Sequence, residues 1–445
     1  MRPPFSSSCS CSCSSLSLSY SIPNPLAPSR ADAKMPYCEV GVHQSSPSAA
    51  ASSAVVPVDS PINNEIKLFY QTYGRGTTKV LLIIGLAATH EAWGPQIDAF
   101  TGTTIPNDDV SSGDDNECGE GIEVCAFDNR GVGRSSVPVQ KSEYSTTIMA
   151  KDAIALLDHL GWKKAHVFGH SMGAMIACKV AALVPDRVLS LALLNATGGG
   201  FQCFPKLDRR TFSVAFRFLK AKTPEQRAAV DLDTHYSQEY LDEYVGTEKR
   251  RAILYQQYVK CISSSGMQSS SGFDGQMHAC WTHSVTQPDI DAMKSGGFLV
   301  SVIHGRHDII AQIDHAKRLA ERLHPIARMV DLHGGHLVSH ERPEEVNQAL
   351  FDLIKAAGEN KSPHDWTNLS TNQSWLKENR MLFLRTIQGG SRVSFKFSLI
   401  EKLYLCLLYL FGILVLAFEN GRKLLRSLKP VRVGCSPSYV NVDSS

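Results

Sequence analysis

Short apolar runs recur through the middle of the chain, and each ends in a turn that is followed by a helical pattern. Residues 80–84 form an uninterrupted apolar run, and residues 122–127 and 188–194 are largely apolar. Residues 144–160 place their apolar side chains on one face of a helix. Strands that alternate with helices in this way predict an α/β fold with a mostly parallel sheet and helices on both faces.

The alternation stops after residue 197, where three glycines open a stretch without a strong strand pattern. Helical patterns occupy residues 209–221, 224–230, 238–245, 249–259 and 288–293. Strand patterns return at residues 298–303 and 328–332. We therefore expect an inserted helical cap between two strands of one sheet. Its larger apolar side chains either line a pocket or pack the cap itself: Phe201, Phe204, Phe212, Phe216, Tyr255, Met277 and Trp281.

Both ends of the chain differ from this central part. Residues 1–31 are rich in serine, and the first acidic residue is Asp32, which is typical of an organelle transit peptide and makes a plastid one destination. A true start at Met35, with no transit peptide, is the alternative. Serine, alanine and proline then dominate up to residue 61, so we predict that the whole N-terminal segment is disordered.

Near the other end, residues 403–418 are uncharged and apolar on every side. At about 1.5 Å per residue they span about 24 Å, whereas the hydrocarbon core of a bilayer is about 30 Å thick. A crossing therefore needs the helix to extend back through Lys402 and Glu401, with the charges reaching the interface. We expect a membrane helix and a membrane-lipid partner here; the alternative is a helix packed on the main domain.

These patterns divide the chain into seven segments. They are a disordered N-terminal segment (1–61), the first part of an α/β core (62–197), the helical cap (198–297), the second part of the core (298–358), a linker (359–398), a membrane helix (399–418) and a basic, disordered tail (419–445).

Composition narrows the choice of partners and compartment. A formal net charge of +2, without a basic stripe interleaved with aromatic residues, argues against a nucleic-acid partner. The twelve cysteines are irregularly spaced, and some, such as Cys125 and Cys178, fall inside predicted strands or helices. This distribution indicates reduced thiols, so we expect the main domain to face a reducing compartment such as the cytoplasm.

The candidate nucleophile is Ser171, within the pattern Gly169-His170-Ser171-Met172-Gly173. The pentapeptide alone is common by chance, but here an apolar run precedes it and a small-residue helical pattern follows. A nucleophilic serine on a sharp strand-to-helix turn needs glycine on either side, because neighbouring backbone packs closely there.

The partners of this serine follow two later strands. Asp308 comes after the strand at 298–303, and His336 comes after the strand at 328–332. A serine hydroxyl reacts only when an imidazole accepts its proton, and a carboxylate must orient that imidazole. A metal cluster of His333, His336 and His340 is the competing interpretation, and it is disfavoured because the first two flank a Gly-Gly turn.

Two backbone N–H groups are the candidate oxyanion donors. Leu86 follows the strand at 80–84 and the turn residue Gly85, and Met172 follows Ser171. The Gly131-Val-Gly133 sequence after another strand lacks the third glycine of a dinucleotide-binding turn. We therefore predict neither a cofactor nor a metal.

These motifs together resemble the α/β-hydrolase superfamily over residues 62–358. The motifs are Gly85-Leu86, Asp128-Asn-Arg-Gly-Val-Gly-Arg-Ser135, Gly169-His-Ser-Met-Gly173, His304-Gly-Arg-His-Asp308 and Gly334-Gly-His336. Within the superfamily the chain is similar to esterases, enol-lactonases and aminoacrylate-hydrolase-like proteins. It departs from the usual His-Gly oxyanion signature, since Ile84 precedes Gly85. Serine at the elbow argues against the epoxide-hydrolase and dehalogenase branches.

The resemblance implies cofactor-independent hydrolysis of an ester, lactone, thioester or amide. A membrane helix beside an apolar cap favours a serine hydrolase that cleaves a lipid-like or other hydrophobic carboxylic ester, a small-molecule substrate. Three alternatives stay open: a lactone or amide hydrolase for small polar substrates, a ligand-sensing receptor on the same fold with little turnover, and a tethered scaffold without activity.

Overall fold

The computed structural model describes residues 36–41, 66–107, 121–206, 208–265 and 268–369. All of them fall within one compact unit, which ends at Leu369.

The strands of the described chain form one large sheet and one small hairpin. The strands are β1 (Tyr37–Val40), β2 (Ile66–Tyr73), β3 (Thr78–Ile83), β4 (Ile122–Phe127), β5 (Ala165–His170), β6 (Val188–Leu194), β7 (Tyr244–Val245), β8 (Glu248–Lys249), β9 (Leu299–Gly305) and β10 (Ala327–Leu332). The large sheet has the order β1-β2-β4-β3-β5-β6-β9-β10. Strands β1 and β2 are antiparallel to their neighbours, and all the other pairs are parallel.

Helices cover both faces of the large sheet. The helices are α1 (Gly94–Thr101), α2 (Thr146–His159), α3 (Met172–Leu183), α4 (Arg209–Lys220), α5 (Pro224–His235), α6 (Gln238–Asp242), α7 (Arg250–Ser265), α8 (Ser270–Thr282), α9 (Gln287–Ser295), α10 (Ile313–Arg322), α11 (Val338–Glu341), α12 (Pro343–Gly358) and α13 (Pro363–Trp366). One apolar cluster joins the sheet to α2, α3, α9 and α10, and a second joins it to α1 and α12. The predicted α/β fold with a mostly parallel sheet is confirmed.

The central strands could be predicted from the sequence because both faces of the sheet are covered there. In β5 every residue is buried, because α3 covers one face of the sheet and the helices of the second cluster cover the other. A strand that is covered on both faces is mostly apolar and therefore appears in the sequence as a short apolar run. The buried histidines His166 and His170 are the polar residues of β5. The predicted strand at residues 80–84 lies within one residue of β3 at its C-terminal end.

The prediction that residues 1–61 are disordered is wrong for Tyr37–Val40. This segment is β1, which pairs antiparallel with β2 and buries Cys38 and Val40 on the core side. Four residues within a serine- and proline-rich stretch carry little periodic signal. Strand β1 forms because β2 has an edge with which it can pair. Since β2 is distant in sequence, no local pattern predicts this pairing.

Between β6 and β9 lies a group of helices, residues 200–282, that we call the helical insertion. Helix α8 was missed, because serine and glycine at its start and Gly275 inside it mask the helical period. The helix predicted at 238–245 ends at Asp242, and β7 and β8 then form a short hairpin. Gly246 occupies the hairpin turn with φ of 64°, which favours glycine.

None of the helices in the described residues is long and apolar enough to cross a membrane. The predicted transit peptide, the membrane helix at 399–418 and the basic tail lie outside the described residues.

One buried ion pair ties the loop after β4 to α2. The Nε and Nη2 atoms of Arg130 each donate to a carboxylate oxygen of Asp152 at 2.6 Å, and Nη1 donates to the carbonyl of Glu143 at 2.8 Å. Both side chains of the pair are only 2% exposed. A pair this deeply buried depends on both partners, since loss of either one takes an opposite charge away from a buried ionised group.

We predict that Arg130→Met lowers the free energy of unfolding by about 3–5 kcal/mol, because it removes the guanidinium that donates two hydrogen bonds to the buried Asp152 carboxylate. Urea unfolding followed by circular dichroism measures the change. The matched control is Lys355→Met, since Lys355 pairs with Glu359 at 3.9 Å on the surface. That change should cost no more than about 1 kcal/mol. Equal effects of the two substitutions would contradict the prediction.

Candidate active site

Ser171 occupies a strained turn between β5 and α3. Its backbone has φ of 56° and ψ of −118°, which a residue with a side chain rarely adopts. A Cβ atom at Gly169 would lie 2.3 Å from the carbonyl oxygen of Gly173, and one at Gly173 would lie 2.0 Å from the carbonyl oxygen of Ile83. Both flanking positions therefore require glycine, and the turn holds Ser171 at the C-terminal end of the sheet.

The structure brings Ser171, Asp308 and His336 together. The Nε2 atom of His336 lies 3.0 Å from the Oγ atom of Ser171, and its Nδ1 atom lies 2.7 Å from the Oδ2 atom of Asp308. The acid and the imidazole are carried by the loops after β9 and β10. Since parallel strands end at one edge of the sheet, residues that are far apart in sequence meet there. The arrangement can activate a hydroxyl for nucleophilic attack.

Asp308 is buried and held as a carboxylate. Its Oδ1 atom accepts hydrogen bonds from the backbone N–H groups of Ile310 and Ala311 at 2.8 and 2.9 Å. Burial by itself would raise the pKa of Asp308, but the charge and the hydrogen bond of His336, with smaller contributions from His304 and Asn195, lower the pKa to about 2. At neutral pH the carboxylate is therefore ionised and can fix the orientation of His336.

Asn195 is a site residue that the sequence analysis missed. It follows β6 directly, and its Nδ2 atom donates to Asp308 Oδ2 at 2.8 Å and to the carbonyl of Gly335 at 3.2 Å. Its backbone φ is 49°, a conformation that asparagine tolerates better than most residues. The available signal was a polar residue immediately after a buried strand, at the same edge of the sheet as Ser171.

The two predicted oxyanion donors lie beside the serine. A Cβ atom at Gly85 would come within 3.1 Å of the Cβ atom of Ser171, so the backbone that leads into Leu86 passes close to the nucleophile. Met172 is the first residue of α3, and an N–H group at that position has no acceptor within its own helix. The positive end of the helix dipole favours a negative charge at the same point.

Gln276 connects the helical insertion to residues 84–89, the loop after β3 that carries the candidate donor Leu86 and that we call the oxyanion loop. Its Oε1 atom accepts from the backbone N–H of Ala87 at 3.0 Å, and its Nε2 atom donates to the carbonyl of Arg130 at 2.9 Å. Ala87 has φ of 60°, and Gln276 is fully buried. The side chain of Gln276 thus holds a strained loop residue next to Leu86. It lies on α8, which the sequence analysis missed.

Three further histidines surround the site without a charge. The Nε2 atom of His170 contacts the carbonyl oxygen of His336 at 2.8 Å, and burial, followed by the charge of His336, lowers the pKa of His170 to about 3. His235 stacks on His336 with ring centroids 6.3 Å apart, and burial lowers its pKa to about 3 as well. Burial also lowers the pKa of His304. These imidazoles stay neutral at neutral pH.

The alternative metal cluster of His333, His336 and His340 does not form. Both ring nitrogens of His336 face Asp308 and Ser171, and the Nε2 atom of His340 lies 2.6 Å from the carbonyl oxygen of Ala92. Among the described residues, one other group has metal-ligating atoms close together: Glu239, His307 and His333.

The family model described as "alpha/beta hydrolase fold" matches residues 79–343, which is more than half of the chain. The chain belongs to the α/β-hydrolase family. The resemblance drawn from the sequence motifs is therefore confirmed at the level of the family, and so is a hydrolytic function at that coarse level.

Several relatives of this α/β-hydrolase are known. It is 33% identical over 160 residues to a putative carbamate hydrolase, RutD, of Azorhizobium caulinodans, a match that covers 36% of this chain and 50% of the relative. The corresponding protein of Caulobacter vibrioides is 24% identical over 294 residues, covering 65% of this chain and 96% of the relative. The first match thus spans about half of the relative's length.

A solved structure shows the same fold. The enol-lactonase from Burkholderia xenovorans superimposes with a TM-score of 0.50 at 20% identity, covering 65% of this chain and 97% of the enzyme. At that identity the likeness concerns the fold and not the substrate.

We predict that Gln276→Met slows the reaction of Ser171 with a fluorophosphonate by about 10- to 100-fold. Loss of an oxyanion donor costs about 100- to 1,000-fold, and this substitution displaces the loop of such a donor without removing it. The labelling rate on a gel measures the effect. Gln287→Met, an exposed glutamine on α9, is the matched control and should label at the wild-type rate. Unchanged labelling of a folded Gln276→Met protein would show that the hydrogen bonds of Gln276 do not position the loop that carries Leu86.

Proposed function

We propose that this α/β-hydrolase is a serine hydrolase that cleaves a carboxylic ester through a covalent acyl-enzyme. The observation that carries the proposal is the hydrogen-bonded chain from Ser171 through His336 to Asp308, with distances of 3.0 and 2.7 Å, at a serine held in a strained turn. Nucleophile, base and orienting acid are each within reach of the next, which is the geometry that acyl transfer needs.

In the first half of the reaction, the Oγ atom of Ser171 attacks the ester carbonyl while the Nε2 atom of His336 accepts its proton. The carbonyl oxygen becomes an oxyanion, which the N–H groups of Leu86 and Met172 stabilise. When the intermediate collapses, the bond to the alkoxy group breaks and His336 gives the proton to the departing alcohol.

In the second half, a water molecule attacks the acyl-enzyme and passes a proton to His336. The second tetrahedral intermediate then releases the carboxylic acid, and the proton returns to Ser171. Asp308 keeps its negative charge throughout and stabilises the imidazolium that forms twice in the cycle. Asn195 orients this carboxylate through its hydrogen bond of 2.8 Å.

We propose further that the helical insertion serves as a cap. The carbonyl of His235 accepts the backbone N–H of Leu337 at 2.9 Å, directly after His336. A Cβ atom at Gly335 would lie 2.6 Å from that same carbonyl oxygen, so the insertion packs tightly against the loop that carries the base. Gln276 supports the same role from the opposite side, at the oxyanion loop.

Several of the apolar side chains that we expected in the cap do not line a pocket. Phe201, Phe212 and Phe216 are 74%, 50% and 58% exposed, so they do not line an enclosed pocket. Phe204 and Trp281 pack on each other with ring centroids 4.7 Å apart. The main argument for a lipid-like substrate is therefore the apolar run at residues 403–418, which lies outside the described residues.

A second candidate function is the hydrolysis of a carbamate, lactone or amide on a small polar molecule. The observation that favours it is His235, a neutral imidazole stacked on His336, whose buried Nδ1 atom has no hydrogen-bond partner among the residues that the structure describes. Such a group offers a polar contact to substrate beside the catalytic base. The putative carbamate hydrolases among the relatives point to the same class. The chemistry of Ser171 would be unchanged.

We predict that a fluorophosphonate labels the full-length wild-type protein and not Ser171→Ala, because only an activated serine hydroxyl reacts quickly. Asp308→Asn should label about 1,000- to 10,000-fold more slowly, since the imidazole loses its orienting carboxylate. Ser295→Ala, on the surface of α9, is the matched control and should label like the wild type. If a folded wild-type protein does not label, Ser171 is not activated and the proposal fails.

A panel of aryl esters with acyl chains of increasing length, together with an aryl carbamate and a lactone, separates the two candidates. If the acyl group is buried in an apolar site, kcat/KM should rise about 4-fold for each added methylene, from about 0.8 kcal/mol of burial. A flat or falling profile with turnover of the carbamate or lactone would support the second candidate. Rapid labelling of Ser171 without turnover of any member would favour a ligand-sensing receptor.

A further inference from the structure

A group of metal-ligating side chains lies outside the proposed catalytic site, where the helical insertion meets the core. Glu239, His307 and His333 each present one ligand atom, and these atoms all lie within 4.8 Å of one another. The Oε2 atom of Glu239 is 3.0 Å from the Nε2 atom of His333. The rings of His307 and His333 meet edge to face with centroids 4.4 Å apart.

The three residues come from three separate segments. Glu239 stands in the first turn of α6, within the helical insertion. His307 directly precedes Asp308 in the loop after β9, and His333 follows β10, three residues before His336. A ligand shared by all three would join the insertion to both loops that carry the acid and the base.

We propose that Glu239, His307 and His333 form a Zn²⁺-binding site that is completed by water. Two imidazoles and one carboxylate are a donor set that suits zinc, whereas Mg²⁺ and Ca²⁺ prefer oxygen ligands throughout. This proposal does not depend on the ester hydrolysis proposed above.

The spacing needs a small adjustment before the metal is held. Donor atoms at about 2.0–2.1 Å from a tetrahedral zinc ion are about 3.4 Å apart. Closing from 4.8 Å to that spacing needs movements on the order of 1 Å, which exposed side chains can make. The side chain of Glu239 is 70% exposed and that of His333 is 44% exposed, so neither is locked by packing.

Arg342 is the charged neighbour that must adapt. Its Nε atom donates to the carbonyl oxygen of His333 at 2.8 Å, and its Nη2 atom lies 3.4 Å from the Nδ1 atom of the same residue. When Nε2 of His333 binds the metal, Nδ1 carries the ring proton. The guanidinium then keeps its bond to the carbonyl and turns Nη2 away, since two donors would otherwise face each other.

The site and the proposed catalytic site share loops but no atoms. Both ring nitrogens of His336 are engaged by Ser171 and Asp308, so His336 has no nitrogen left for this metal. Without metal, Glu239 and His333 form a surface contact between Oε2 and Nε2 at 3.0 Å. Measurements of metal binding distinguish these two roles.

The test is a calorimetric titration of the full-length, chelator-treated protein with Zn²⁺ alone. We expect one binding event in the wild type that is lost in the double variant His307→Ala/His333→Ala. Glu239→Gln should weaken it by at least about 10-fold, since even ligand-supporting groups contribute that much. His364→Ala, an exposed histidine on α13, is the matched control and should bind like the wild type. The melting temperature should rise with Zn²⁺ in the wild type and control only.

A second measurement identifies the ligands directly. Co²⁺ bound at this site should give visible d–d bands without a thiolate charge-transfer band in the near ultraviolet. A thiolate band that persists in the double variant would assign the metal to cysteines and overturn the proposal. Equal Zn²⁺ affinity of wild type and a folded double variant, or no binding by the folded wild type, would overturn it as well. If the double variant does not fold, Glu239→Gln decides the outcome.

Discussion

The positive φ of 56° at Ser171 is the constraint on which the rest of the site depends. A residue with a side chain in this conformation costs on the order of 1–2 kcal/mol, so the surrounding structure must hold it there. Gly173 allows α3 to start against the carbonyl of Ile83, and Gly169 allows the turn to close on itself. The turn therefore needs a neighbouring parallel strand, β3, and a helix packed on both. A central position in a covered sheet follows from the conformation of one serine.

The parallel sheet then collects the remaining groups. Each strand from β3 onward in the parallel part ends at the same edge, and the loops there supply Leu86, Asn195, Asp308 and His336. Burial at this edge disfavours the charged form of both kinds of group. It keeps the neighbouring histidines neutral, whereas at Asp308 the charge and the hydrogen bond of His336 outweigh burial and lower the pKa to about 2. The site therefore holds a carboxylate beside neutral imidazoles, and burial excludes much of the surrounding water.

The helical insertion is coupled to this edge at several points. Gln276 reaches the oxyanion loop, the backbone of His235 reaches the loop after β10, and Glu239 reaches His333. Movement of the insertion would therefore displace the loop that carries Leu86 and the loop that carries His336 together. This coupling links the cap proposed for the reaction to the proposed zinc site, because both depend on where the insertion rests on the core.

The α/β class, the central strands and the turn at Ser171 could be predicted from the amino-acid pattern, because burial on both faces and a strained turn each leave a local signature. The same pattern also singled out Asp308 and His336, since each lies in the loop that follows a predicted strand. Strand β1, the role of Asn195 and the contact of Gln276 with Ala87 became visible only in the folded chain. That hydrogen bond joins residues 189 positions apart. Such contacts have no period along the chain, because they arise only when the sheet and the insertion have packed together.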